Sequence, residues 1–289
     1  MQPTPLSLEI PETLHDADSA LRRIGTPVAD VAWALLNEEE NVALVESLKK
    51  QAGLTDDALE RLLLWHAARR AQAQVASLPL DVSVRARLDQ DLPKLATSSV
   101  PLMAGSYQYI RAAKMATLRR FSAGPMEWEI SGIPRSFFLK ASFPANLRML
   151  AFVTSRLGGL KPCFFMHVAP SPRNRALSIP KEVLRSYYQM ARSMQLQPSV
   201  RALLAHAWFH DPAAVRDNPQ LEVLNSPYVE HGGLITLLGP APPSSGVLEG
   251  NAQRKEDYLA GKIQYRYGFA VWPRDAAIRW ADEHPELAG

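Results

Sequence analysis

Cysteine occurs once in this chain, at position 163, which excludes an intramolecular disulfide framework and any zinc or iron–sulfur site built on several thiolates. Inside the apolar run Cys163-Phe-Phe-Met-His-Val168 the thiol reads as a small core residue rather than a nucleophile. No uncharged apolar run reaches the ~18 residues that a membrane span needs, and the first ten residues carry neither a basic n-region nor an apolar h-region. A cytoplasmic protein without a membrane partner is therefore expected. Acidic residues are scarce in the middle of the chain: between Leu92 and Lys181 only Glu127 and Glu129 stand against thirteen lysines and arginines. The formal net charge is only +3, so charge is segregated along the sequence, and an anionic ligand is expected at the basic middle third. A nucleic-acid partner is not expected, because a glycine- and aromatic-rich RNA-recognition signature, a histidine/cysteine finger and a helix-turn-helix are all missing.

What is present is enough apolar material, 47% of 289 residues, to bury a sizeable core. Apolar residues recur at three- and four-residue spacing in 28–36, 41–52, 55–73, 82–92 and 107–121, which predicts helices there, with Thr55 as an N-cap ahead of acids in the first turn. Near Gly124-Pro125 the pattern changes. Met126 to Ser131 alternates, Gly132-Ile-Pro134 supplies turn chemistry and Arg135 to Ser142 is a second short apolar run, together predicting a hairpin or two strands. From Pro144 helices alternate with strands, the latter predicted at 163–168, 200–209, 234–238 and 263–271. The fold class that follows is α+β, with a helical N-terminal region over 1–122 and a mixed β-sheet flanked by helices over 123–289.

Ionisable and aromatic groups concentrate at the ends of the later strands. If 200–209 is a strand, Leu204, His206, Trp208 and His210 line one side, and Leu203, Ala205, Ala207 and Phe209 the other. Two imidazoles then flank an indole, with Asp211 at the strand end and His231 beyond the next segment. Three readings fit. The histidines pack structurally; or a neutral imidazole acts as a general base, with Asp211 or Glu230 fixing its tautomer; or His206, His210, Asp211 and His231 supply metal ligands, which the divergence of alternate strand positions argues against. Tyr265, Tyr267 and Phe269 share a face of the last strand and would wall a pocket or pack the core. Arg173 and Arg175, in a loop just ahead of a helix start, offer charge-assisted contacts to phosphate or carboxylate.

The order of a strand ending at Val168-Ala-Pro, the arginine-bearing loop and a helix resembles the phosphate-cradling turn of the GNAT superfamily of N-acyltransferases. The next strand and the Tyr228-x-x-x-Gly232 spacing resemble that superfamily's later strand–helix–strand. The resemblance covers roughly residues 126–238. It implies a GNAT-like fold and an acyl-coenzyme A-dependent acyltransferase taking a small amine or hydroxyl acceptor, with Arg173 and Arg175 on the coenzyme A and acyl-CoA as co-substrate. It also implies Tyr228 as the acid that protonates the departing thiolate, while His206 or His210 would be the complementary base. The alternatives that remain are an enzyme of another class using the His206/His210/Asp211/His231 cluster, and a non-catalytic anion- or nucleic-acid-binding protein.

Overall fold

The computed structural model describes residues 9–25, 28–37, 41–98, 100–169, 179–242, 248 and 252–288. The chain divides into two compact units, one of residues 1–78 and 82–121, the other of residues 79–81 and 122–289.

The first unit is helical: α1 (His15–Arg23), α2 (Val28–Asn37), α3 (Val42–Ala52), α4 (Ala58–Gln72), α5 (Val82–Leu95) and α6 (Tyr107–Ala116). The central helix is α4, which buries Leu59, Leu62, Leu63, Leu64 and Trp65 on successive faces, as a helix surrounded by others must. Its N-terminus starts later than the sequence predicts. Asp57 occupies the cap position and Thr55 lies outside the helix, while Asp57 is committed to Arg61 through a 2.8 Å ion pair. The helix predicted to reach Phe121 stops at Ala116, where Leu118 takes a left-handed conformation (φ 58°) and Arg119 N–H returns to the Lys114 carbonyl. That reversal releases the next residues into a strand.

The second unit is built on a mixed sheet that β1 (Arg120–Ser122), at the junction between the units, brings to six strands in the order β1, β2 (Met126–Ser131), β3 (Cys163–Val168), β4 (Ala202–Ala207), β6 (Arg266–Pro273) and β5 (Leu234–Pro240). This is the α+β mixed sheet that the sequence predicts. From β2 onward the pairings are antiparallel except that of β3 with β4. The second strand of the predicted hairpin does not form. Residues Arg135–Leu139 make a 3₁₀ turn instead, because β2 already has neighbours on both edges.

Alternation divides the sheet cleanly. One face presents Cys163, Ala202, Leu204, Phe269 and Val271 to Phe137, to α7 (Phe143–Phe152) and to the π turn Val153–Leu157 that continues α7. The other presents Phe164, Leu203 and Trp272, all fully buried. Trp272 meets Tyr187 of α8 (Pro180–Gln195), Tyr228 of α10 (Ser226–Glu230) and Trp280 of α12 (Arg274–Glu283) with ring centroids 5.3–5.9 Å apart. Two shorter helices of the unit are α9 (Pro212–Asp217) and α11 (Ala252–Leu259). Cys163 is buried in the first face, and burial pushes its thiol up to about 12. That is the environment of an inert core cysteine.

Candidate active site

The parallel pair of β3 with β4 is short. β3 and β4 align Phe164 with Leu203, Phe165 with Leu204 and Met166 with Ala205. Both strands then run on for two residues, to Val168 and Ala207, without pairing to each other. Each keeps its outer partner over those residues, Val168 with Met126 and Ala207 with Gly268. Pairing between the two parallel strands therefore stops short of their carboxyl ends, where the chain crosses from one face to the other. Open sheets bind ligands at such places.

The next pair in the β3–β4 register would be His167 with His206, both on the α7 face of the sheet. His206 is half-buried between two rings, its centroid 4.6 Å from Phe137 and 4.7 Å from Tyr267, and close to parallel with the latter. Neither of its nitrogens has a hydrogen-bond partner among the described residues. Burial, and then the nearby Lys140 charge, lower its pKa to about 4, so the ring is neutral at pH 7. His167 lies with Nε2 3.3 Å from Glu129 Oε1. Sequence reasoning passes over this imidazole, although alternation within Cys163–Val168 sets it on the same face as Cys163 and Phe165. Glu129 is one of only two acids between Leu92 and Lys181.

His210 is not on that face. The strand expected to continue through Phe209 ends at Ala207, and Trp208–His210 form a 3₁₀ turn. The cause is local: Pro212 follows, and Asp211 caps α9 through Oδ1, which accepts from Ala213 N–H at 3.0 Å. The turn folds His210 under the opposite face, fully buried, with its ring 5.8 Å from that of Tyr228. Asn225 holds it. The amide Nδ2 donates to the Phe209 and Leu221 carbonyls at 2.8 and 3.3 Å, which leaves its Oδ1 to accept from His210 Nδ1 at 2.6 Å. The proton therefore sits on Nδ1, and the Nε2 lone pair is buried without a partner. Burial lowers this pKa to about 4 as well, outweighing the Asn225 bond, which raises it. The tautomer is fixed by Asn225, rather than by Asp211 or Glu230.

The remaining expected residues separate. Asp211 is buried, and beyond its capping bond Oδ2 accepts from Arg266 N–H at 2.6 Å. Tyr228 is fully buried on the α8 face, where its hydroxyl abuts that of Tyr187 without a well-aligned hydrogen bond. Tyr187 donates to the Leu224 carbonyl at 3.0 Å. Burial raises the pKa of both phenols, so both stay protonated. His231 lies towards the start of β4 rather than its end: its carbonyl accepts from Trp272 Nε1, and Trp272 pairs with Leu203. It is not brought to His206. Tyr267 and Phe269 wall His206, but Tyr265 precedes the strand and packs against Ala214, Ala241 and Leu248, donating to Asp217. Arg173 and Arg175 lie outside the described residues. Among the described residues no three His, Cys, Asp or Glu side chains group to hold a metal.

No family model matches the sequence, and no curated relative matches it. Among solved structures the chain is similar to an acyltransferase in complex with decanoyl-CoA, at 13% identity over 92% of this chain and 90% of that one, with a TM-score of 0.46. It is also similar to an acyltransferase mutant in complex with octanoyl-CoA, at 15% identity over 92% and 85% of the two chains and a TM-score of 0.41. A third, an acyltransferase in complex with decanoyl-CoA and teicoplanin, is 13% identical over 75% of this chain and 65% of that one, with a TM-score of 0.39.

Proposed function

We propose that the chain is an acyl-coenzyme A-dependent acyltransferase that holds the thioester where β3 and β4 cease to pair. The observation that carries this reading is the end of pairing between parallel β3 and β4 beyond Met166 and Ala205. Unpaired strand edges present amide and carbonyl groups in a row, which suits an extended ligand bearing amides of its own, such as a pantetheine arm. β3 leads towards the N-terminus of α8, a sixteen-residue helix opened by Pro180. Pro180 has no N–H and those of Glu182 and Val183 donate to the Ile179 carbonyl, so the Lys181 N–H and the positive dipole end are what favour a phosphate group there. Arg173 and Arg175, in the intervening segment, would add charge-assisted contacts to the same group.

A thioester between the ends of two strands can be approached from both faces of the sheet. From the α7 face, neutral His206 is free to take the proton of an amine or hydroxyl as that group attacks the thioester carbon. His167, beside Glu129, is a second imidazole on the same face. From the α8 face, Tyr228 is kept protonated by its burial and is suited to give its proton to the sulfur as the carbon–sulfur bond breaks. His210 and Asp211 would support these groups through the turn that ends β4 rather than react. The acceptor is a small molecule carrying an amine or hydroxyl.

Calorimetric titration of the full chain with coenzyme A and acyl-CoA species tests the first half of this reading, and release of free thiol on adding amine acceptors tests the second. Saturable binding that stabilises the fold, by about 2.7 kcal/mol at a hundred times the dissociation constant, is expected. Absence of coenzyme A binding would remove the proposal.

A further inference from the structure

Helix α7 is apolar on both sides. Of its ten residues only Asn146 and Arg148 are polar, and a helix of that composition is ordinarily covered all round. Here Met149 and the following Val153 and Leu157 face the sheet. Phe143, Leu147 and Leu150, spaced i, i+4 and i+7 and so on one stripe, are 75%, 52% and 48% exposed, and Leu139 just ahead of the helix is 85% exposed. Large apolar side chains displayed together in this way mark a surface that binds something.

The charge around the stripe identifies the partner. From residue 132 to residue 180 the sequence contains no aspartate or glutamate. Arg135, Lys140, Arg148, Arg156 and Lys161 in this stretch are all exposed. At the far end of α7 the π turn leads to an open cavity of about 450 Å³ lined by Arg156, Lys161, Arg201 and Arg274, with Asp275 as its one acid. That acid is shared between Arg156 at 3.6 Å and Arg279 at 3.2 Å. Lys161 and Arg201 have no ion-pair partner among the described residues. Exposed apolar side chains flanked by cations and backed by a cationic cavity complement an anionic bilayer, whose headgroup phosphates lie just outside its acyl chains. A protein partner would have to supply both an apolar groove and acids along its rim.

We infer that this face docks on anionic membrane, with Phe143 and Leu147 entering the headgroup–acyl boundary and the cavity around Lys161 and Arg201 receiving a lipid phosphate. No helix among the described residues is long and apolar enough to cross a membrane, so the association is peripheral. It goes beyond the expectation of no membrane partner, which rests on the absence of a spanning run and of a signal-like start and bears on neither peripheral association nor its chemistry. The inference is independent of the acyltransferase reading.

Co-sedimentation of the full chain with vesicles tests it. Vesicles of phosphatidylcholine containing phosphatidylglycerol are expected to bind at least about tenfold more tightly than phosphatidylcholine alone, and high salt should erode the difference. The double variant Phe143→Ser/Leu147→Ser should weaken binding about tenfold or more, as should Arg156→Gln/Lys161→Gln/Arg201→Gln. All five side chains are exposed, and circular dichroism should show the parent fold. Equal binding of the two vesicle types, or variants that bind like the parent, overturns the inference. So does a failure to bind either vesicle, including the case of a concentration-dependent dimer abolished by the Phe143/Leu147 variant, which would identify a second copy as the occupant.

Discussion

A β-carbon on Gly268 would overlap the β-carbon of His210. Gly268 pairs with Ala207, the last residue of β4, so the missing side chain is what lets the turn fold His210 beneath the sheet. Gly268→Ala must displace either β6 or the turn. A loss of about 1–3 kcal/mol is expected, read from urea unfolding as a shifted midpoint at unchanged m. A midpoint equal to the parent's would contradict this packing.

The same burial sets a pH dependence. An unfolded histidine titrates near 6.5, whereas His210 in the fold titrates at about 4. Between these values the unfolded chain takes up a proton that the folded chain refuses, so this contribution to stability is complete above about pH 6.5 and is lost as the pH falls towards 4. The group accounts for roughly 3 kcal/mol of that decline. Unfolding measured from pH 4 to 8 should show a shallower slope for His210→Phe than for the parent; identical slopes would place the histidine pKa near its ordinary value.

Asp211 serves as a cap and as the acceptor for Arg266 N–H. Asp211→Ala is expected to cost roughly 2 kcal/mol, about half for the cap and the rest for the amide left unpaired. Asp211→Asn keeps a capping oxygen but turns an amide NH2 towards Arg266 N–H, so it should cost a similar amount, with turnover within about twofold of the parent. A thousandfold fall in turnover for the asparagine variant would mean that the carboxylate reacts.

If Tyr228 protonates the leaving sulfur, Tyr228→Phe should lower kcat by about 10² or more with KM little changed, since only a transition-state interaction is lost. With His206 as base and a hydroxyl acceptor, which does not titrate in this range, kcat/KM should persist below pH 6 and fall only as the pH nears the His206 pKa of about 4; His206→Leu should remove most of the rate. A Tyr228→Phe turnover within twofold of the parent would confine that phenol to packing.

Replacing both Arg173 and Arg175 by glutamine should weaken coenzyme A binding at least about tenfold in calorimetry. Exposed loop substitutions usually alter stability by less than about 0.5 kcal/mol, so unfolding should be nearly unchanged. Unaltered affinity would remove these two residues from the phosphate site and leave the start of α8 as the element to examine.

Local pattern alone was sufficient for much of the architecture. Helical spacing in the first part of the chain, the alternating run 126–131 and the apolar run 163–168 each specify an element because side-chain period and backbone geometry are linked within a few residues. The burial of Cys163 was legible for the same reason. The candidate site was legible only in part. His206 and Tyr228 stand out by residue type, but alternation beyond Ala207 wrongly put His210 beside His206, since the Asp211 cap and Pro212 end the strand before the period can continue. Asn225 as the residue that sets the His210 tautomer, Glu129 beside His167, and the β3–β4 pairing that stops at Met166 and Ala205 are meetings of segments tens of residues apart. Such contacts are decided by strand register and by which edges are already occupied, as they were when the second edge of β2 went to β3 and residues 135–139 coiled into a turn. Composition showed a basic middle third; only the packing of α7 against one face of the sheet decided which of its apolar and basic side chains remain outside.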